Sequence, residues 1–317
     1  MTEASAAAAE PQPKRRAPRT ADLSEVPPMP DGRSASEHIA EIEALSRIVR
    51  TPMPNGGRMM WHVWGADSGR PPLVLFNGGA GSWLHWIRNV VPLSQHYTVY
   101  VGDVPGMGES DATESRRDIW QVTHAAKMGL ETILPRDRRF DIAGFSFGGN
   151  LAGHVSTLLG DWLRSVVLVG AGGFRLSRKP GPPMTSFHRE QLDAQGQVEA
   201  ARRNLGILML HDPASIDGVA IQMQILNSHR ARTDSRAISR AGTLHDILPK
   251  ITTRLAGIWG ELDSTSYPYM SERYELLRAH QPGIDMREIK GAGHWVMYEA
   301  ADAFNAALID ILAKTPG

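Results

Sequence analysis

The sequence predicts an α/β fold in which a mostly parallel sheet is covered by helices on both faces. Three observations predict it. Short apolar runs bounded by Gly, Pro or Asp recur along the chain, stretches with helical spacing separate them, and a Gly-Phe-Ser-Phe-Gly turn (144–148) joins one such run directly to a helical one. Strands buried on both faces read as continuous apolar runs, and strand–helix alternation is what parallel crossovers require.

Taken in order, the spacing of Ile39, Ile42, Leu45 and Ile48 predicts a helix over 37–49, outlying the sheet. Strands are expected at 60–64, 73–76, 97–101, 140–143, 166–169, 255–259 and 284–289, and helices at 82–90, 119–134, 150–159 and 270–280. No internal repeat appears at a solenoid period. Between 174 and 246 the alternation stops: no strand pattern is evident, and Arg, Met, His and Gln are frequent. An amphipathic stretch inserted between two core strands reads as a helical lid over the C-terminal edge of the sheet. The expected organisation is a disordered tail over 1–33, core over 34–173, lid over 174–246 and core again over 247–317. The tail assignment rests on its richness in Ala, Pro, Arg and Glu, which leaves little apolar surface to bury.

Composition narrows the function. Across 317 residues, Lys plus Arg and Asp plus Glu both number 34, so balanced charge gives no electrostatic case for nucleic acid or an anionic membrane. There is no cysteine, which excludes disulfides, thiolate metal sites and a Cys nucleophile. No apolar run approaches the about 18 residues that span a bilayer, and the first residues lack the apolar core of a signal peptide. The expectation is a cytoplasmic protein acting on a small molecule, with no cofactor, metal, nucleic-acid or membrane partner; homo-oligomerisation is left open.

The chemistry is expected at Ser146. A serine in a sharp strand-to-helix turn needs glycine two residues before and two after, because neighbouring backbone crowds both positions. Gly144 and Gly148 meet that need, and the following helix turns its N–H groups towards developing negative charge. A serine hydroxyl requires a base, and in such folds the chain order is Ser, acid, His. His294, in Gly-Ala-Gly-His-Trp (291–295), follows the last predicted strand and is the base candidate. The penultimate strand ends in Gly-Glu-Leu-Asp (260–263), where Asp263 at the loop tip is preferred to Glu261 as the orienting acid. The oxyanion donors are expected to be the N–H of Phe147 and that of Gly79, with Ala80 next, in the loop Asn-Gly-Gly-Ala-Gly-Ser (77–82). Trp83, Phe145 and Trp295 are candidates to line the substrate pocket.

Together these residues resemble the α/β-hydrolase superfamily, over about 60–312. The turn Asp-Val-Pro-Gly-Met-Gly-Glu-Ser (103–110) matches one common in that group, where it is structural. The run Gly-His-Trp-Val-Met-Tyr-Glu (293–299) resembles more specifically the meta-cleavage-product hydrolases, which cut carbon–carbon bonds in dienoates from aromatic-ring breakdown. That resemblance implies a C–C hydrolase in aromatic degradation. Three positions depart from it: Phe145 stands where that subfamily has Asn, Asn77 where the superfamily usually has His, and Gln222, Met223 and Gln224 about where an arginine would grip the carboxylate. Arg175, Arg202, Arg203, Arg230 and Arg232 are the insertion's other cationic candidates. The primary expectation is a cofactor-independent serine hydrolase of a small, partly apolar ester. The alternatives are C–C hydrolysis and a non-catalytic binding protein that kept the fold.

Overall fold

The computed structural model describes residues 21–66, 68–187 and 192–315. Eight strands form one sheet: β1 (Arg47–Pro52), β2 (Arg58–Trp64), β3 (Pro72–Phe76), β4 (Thr98–Gly102), β5 (Phe140–Phe145), β6 (Leu163–Val169), β7 (Arg254–Gly260) and β8 (Asp285–Ile289), in the order β1-β2-β4-β3-β5-β6-β7-β8. β1 and β2 run antiparallel to each other, β2 runs antiparallel to β4, and the remaining pairs are parallel.

Side chains alternate across a strand, so each central strand feeds two cores. On β3, Leu73 and Leu75 enter one hydrophobic cluster while Val74 and Phe76 enter the other. On β7, Ala256 and Ile258 divide from Leu255 and Trp259 in the same way. This two-sided burial is why these segments read as continuous apolar runs. The helices are α1 (Ala35–Ala44), α2 (Val90–Ser94), α3 (Ile119–Ile133), α4 (Phe147–Ser156), α5 (Ala194–Leu208), α6 (Gly218–Arg230), α7 (Ser235–Arg240), α8 (Thr243–Ile247), α9 (Met270–His280), α10 (Val296–Glu299) and α11 (Ala301–Ala313). One cluster packs α3, α4, α8 and α9 residues such as Leu130, Leu151, Leu244 and Leu277. The other packs Leu308 and Ile311 of α11 with Leu205 and Ile221 of α5 and α6.

The strand order reverses beside β3: β4 lies on one side of it and β5 on the other. Loops leaving the C-terminal ends of strands at such a switch point diverge and leave a crevice. The loop after β3 and the turn after β5 flank it. Helices α5 to α8 occupy the interval between β6 and β7, and no strand occurs among the described residues of 174–246.

Two expectations need correction. The helix foreseen over 37–49 stops at Ala44, and Arg47–Pro52 is instead an edge strand paired along its length with β2. The spacing misled because Leu45 and Ile48 face solvent, whereas β-branched Ile48, Val49 and Thr51 suit an extended chain. The second concerns the expected tail. Residues 1–20 lie outside the described residues, but 21–33 are packed: Leu23, Val26 and Met29 are half-buried against the core, and Asp22 N–H donates to Gln197 of α5 at 3.3 Å. The Pro27 carbonyl lies so close to α6 that a Cβ on Gly218 would stand 2.2 Å from it. Sparse apolar residues suffice here because they share a surface with the insertion.

Candidate active site

β5 delivers Ser146 at its C-terminal end, and α4 begins one residue later. The turn is tight. Ser146 adopts φ 51°, ψ −110°, in left-handed territory that non-glycine residues seldom enter, and its own N–H is tied to the Val169 carbonyl at 2.8 Å. Backbone meets backbone on both sides. A Cβ on Gly144 would lie 2.3 Å from the Gly148 carbonyl oxygen, and one on Gly148 would lie 2.4 Å from that of Phe76. These approaches are the physical reason for the two glycines.

β7 and β8 supply the partners. His294 Nε2 is 3.0 Å from Ser146 Oγ, and His294 Nδ1 is 2.8 Å from Asp263 Oδ2. The other Asp263 oxygen accepts from the Thr265 backbone N–H at 2.7 Å and its hydroxyl at 2.8 Å. Burial would raise the Asp263 carboxyl, but His294 and the Thr265 hydrogen bonds outweigh it and hold the group below the ordinary carboxylate range. Asp263 and His294 are buried, while Ser146 keeps partial exposure. Glu261 faces away and accepts from the Gly291 N–H at 2.9 Å, so it braces the loop that carries His294.

The loop after β3 approaches the nucleophile closely: a Cβ on Gly78 would stand 3.3 Å from Ser146 Cβ. Asn77 organises it, donating to the Gly78 carbonyl at 2.9 Å and accepting from Val104 N–H at 2.8 Å. Ala80 takes a positive φ of 48° there. Among the described residues, the N–H groups of Gly79 and Phe147 meet no protein acceptor. Asp103 is fully buried behind this loop and accepts from Trp83 N–H at 2.7 Å and Glu109 N–H at 2.9 Å. Burial raises its carboxyl to about 7 against those two hydrogen bonds.

The three aromatic candidates diverge. The Phe145 ring lies 4.9 Å from that of His294 and so faces the site. Trp295 stacks on Tyr298 at 4.0 Å and donates its ring N–H to the His85 carbonyl at 2.8 Å. Trp83 packs with His62 and Trp64 at 5.2 and 5.4 Å, an aromatic cluster that gives it a packing role. The five arginine candidates of the insertion are also committed. Arg175 pairs with Asp246, Arg230 with Glu109, and Arg202, Arg203 and Arg232 donate to the carbonyls of Ile216, Pro183 and Ser110. Gln222 accepts from the Ser36 hydroxyl at 3.0 Å and Gln224 donates to Ser228 at 3.1 Å.

Two residues were not singled out by sequence. His85 accepts the Gly78 N–H on Nδ1 at 3.1 Å, which leaves its proton on Nε2. Burial, with the nearby His294 adding to it, pushes this imidazole down to about 3. Ser235, at the start of α7, sits against Gly79. Neither belongs to a sequence motif; only the fold brings them to this loop. Among the described residues, no three His, Asp or Glu side chains gather as a metal would require.

The model of the Alpha/beta hydrolase family matches residues 73–307, most of the chain and the whole of this arrangement. The chain belongs to that family. It is similar to 2-hydroxy-6-oxo-6-phenylhexa-2,4-dienoate hydrolase of Burkholderia cepacia, 26% identical over 265 residues that cover 80% of this chain and 91% of that protein. It is similar also to 2-hydroxy-6-oxononadienedioate/2-hydroxy-6-oxononatrienedioate hydrolase of Comamonas testosteroni, at 24% identity and the same coverage. Among solved structures, naproxen esterase of Bacillus subtilis superposes with TM-score 0.68 at 16% identity, covering 89% of this hydrolase and 98% of that chain. The enol-lactonase of Burkholderia xenovorans LB400 superposes with TM-score 0.64 at 21% identity, covering 84% and 100%. At those identities the two structures speak for the fold alone. No described helix of this hydrolase is long and apolar enough to cross a membrane.

Proposed function

We propose that this hydrolase cleaves a small, partly apolar ester through an acyl-enzyme on Ser146. The observation that carries the reading is the unbroken chain from Ser146 Oγ through the His294 ring to Asp263, at 3.0 and 2.8 Å. Ser146 Oγ attacks the carbonyl carbon and its proton passes to His294 Nε2. The carbonyl oxygen becomes an oxyanion and accepts from the N–H groups of Phe147 and Gly79. Collapse expels the alcohol, which takes the proton from His294, and leaves Ser146 acylated. Water then repeats the sequence: His294 Nε2 takes its proton as it attacks the acyl carbon, and collapse returns that proton to Ser146 Oγ as the acid leaves. Asp263 holds the Nδ1–H tautomer and balances the imidazolium without taking the proton.

A neutral ester is favoured because the insertion's Arg175, Arg202, Arg203, Arg230 and Arg232 are all engaged, and Gln222 and Gln224, about where the family resemblance would put a carboxylate-gripping arginine, are neutral and bonded to Ser36 and Ser228. A carboxylate moved into an apolar pocket needs a cationic or multiply hydrogen-bonding partner. The reading is tested by a fluorophosphonate probe, which is expected to label wild type and not Ser146→Ala. Labelling that persists in the variant would put the nucleophile elsewhere and end the proposal.

One observation favours a second reading, carbon–carbon hydrolysis of a dienoate carboxylate. Arg178 is exposed to solvent, with Asp263, Arg236 and Arg240 near enough to feel its charge and no carboxylate pair among the described residues. Partial desolvation draws its guanidinium below the ordinary range, Asp263 opposes this, and Arg236 and Arg240 add to it. Such a group of cations would receive an anion, and the similar proteins named above are dienoate and dienedioate hydrolases. Short p-nitrophenyl esters are expected to be turned over at least as well as 2-hydroxy-6-oxo-6-phenylhexa-2,4-dienoate. A preference for the dienoate of about 100-fold in kcat/KM, about 2.7 kcal/mol, would put C–C cleavage first.

A further inference from the structure

We propose that Ser235 is a further catalytic residue, whose hydroxyl donates a third hydrogen bond to the acyl oxygen held by the Phe147 and Gly79 N–H groups. The inference rests on the acyl-transfer reading above. Its first ground is a contact. A Cβ built on Gly79 would stand 2.3 Å from Ser235 Oγ, 3.0 Å from Ser235 Cβ and 3.8 Å from Phe147 Cβ. The hydroxyl therefore lies directly on the backbone of the oxyanion loop, on the side that Phe147 shares. Only glycine at position 79 leaves it that room.

Its second ground is that the hydroxyl is uncommitted. The cap of α7 is Asp234, whose carboxylate accepts from the Ala237 N–H at 3.2 Å, so Ser235 is not needed there. Ser235 is 9% exposed, its Oγ keeps contact with solvent, and among the described residues that oxygen takes no protein hydrogen-bond partner. The hydroxyl is therefore free to turn its proton towards an acyl oxygen without giving up a bond to the protein.

Its third ground is rigidity. The residues just before Ser235 are fastened to the core. Arg232 and Thr233 N–H groups donate to the Gly106 carbonyl at 2.7 and 3.2 Å, the Thr233 hydroxyl to Pro105 at 2.8 Å, and Asp234 N–H to Arg116 at 2.8 Å. A donor contributes to catalysis in proportion to how little it must reorganise when charge develops. Farther along α7, Ser239 lies against Gly172, whose N–H donates to the Ser146 carbonyl at 3.2 Å, so the helix is seated along the rim of the site. Ser235 keeps its proton throughout. The hydrogen bond strengthens as the carbonyl oxygen gains charge in the tetrahedral species and weakens when the carbonyl re-forms.

The test compares wild type with Ser235→Ala and Ser235→Cys, using p-nitrophenyl butyrate turnover, inhibition by an alkyl boronic acid and thermal unfolding. For Ser235→Ala, kcat is expected to fall about 10- to 100-fold with KM changed less than about twofold. Boronate affinity should fall by the same factor as kcat/KM, since its tetrahedral adduct places an oxygen where the oxyanion sits. Ser235→Cys, a weaker donor of similar size, should fall between the two. A merely packed hydroxyl would change the melting temperature without moving boronate affinity relative to KM. Turnover within about twofold of wild type, or a loss of kcat with boronate affinity unchanged, overturns the proposal. If Ser235→Ala does not fold, the same two readouts on Ser235→Cys decide it. Failure of the acyl-transfer reading looks different: wild type itself would resist fluorophosphonate labelling, or Ser146→Ala would not.

Discussion

At the C-terminal rim of the sheet, backbone touches backbone: Gly144 against Gly148, Gly148 against Phe76, Ser146 tied to Val169. In the insertion, many of the contacts that hold position are made by side chains reaching to distant segments. Arg175 finds Asp246, Thr233 finds Pro105, Ser36 finds Gln222 and Arg88 finds Asp217. The difference teaches how this hydrolase divides its work. Chemistry that needs sub-ångström placement sits where main chain is locked by neighbouring strands. The insertion, which would shape substrate choice, is assembled from contacts that can be exchanged singly at modest cost. Substitutions at the rim should therefore act mainly on turnover, and those in the insertion, Ser235 apart, mainly on stability or substrate preference.

The largest effect is expected at the rim. Asp263→Asn should lower kcat by about 10⁴-fold, because an amide can hold the wrong imidazole tautomer. Glu261→Gln should cost far less, since Glu261 only braces Gly291. Steady-state kinetics on one ester gives both; the reverse ranking would dismantle the account of the rim.

A middle-sized effect sharpens the contrast through His85. Its folded-state pKa is about 3 against about 6.5 in an unfolded chain. The unfolded chain takes up the proton first as pH falls, so this contribution is complete above about pH 6.5 and is lost progressively towards pH 3. Between pH 7.5 and 5 it amounts to about 2 kcal/mol. Urea unfolding of wild type and His85→Gln at both pH values should show wild type losing more by that amount. Equal losses would mean that His85 is not held neutral against the Gly78 N–H.

The smallest effect belongs to the insertion. Ser36→Ala removes the bond to buried Gln222 and should cost about 1 kcal/mol, with kcat/KM unchanged. A fall in kcat/KM would show that the N-terminal segment and α6 set the geometry of the site, and the division drawn above would not hold.

The sequence by itself determined the alternation of strands and helices, the turn at Ser146 and the place of His294 and Asp263. Each depends on local pattern: burial on both faces writes itself as an apolar run, a crowded turn demands Gly144 and Gly148, and the order of the loops follows the order of the strands. It misjudged 45–49, where apolar spacing is compatible with either structure until pairing with β2 selects the strand. It also missed residues 21–33, whose few apolar side chains are buried only because the insertion lies beneath them. Only the tertiary structure decided that Arg175, Arg202, Arg203, Arg230 and Arg232 are engaged with carbonyls and carboxylates, and that His85 and Ser235 meet the oxyanion loop. Such contacts join segments remote in sequence, and no local periodicity or spacing encodes which side chain arrives.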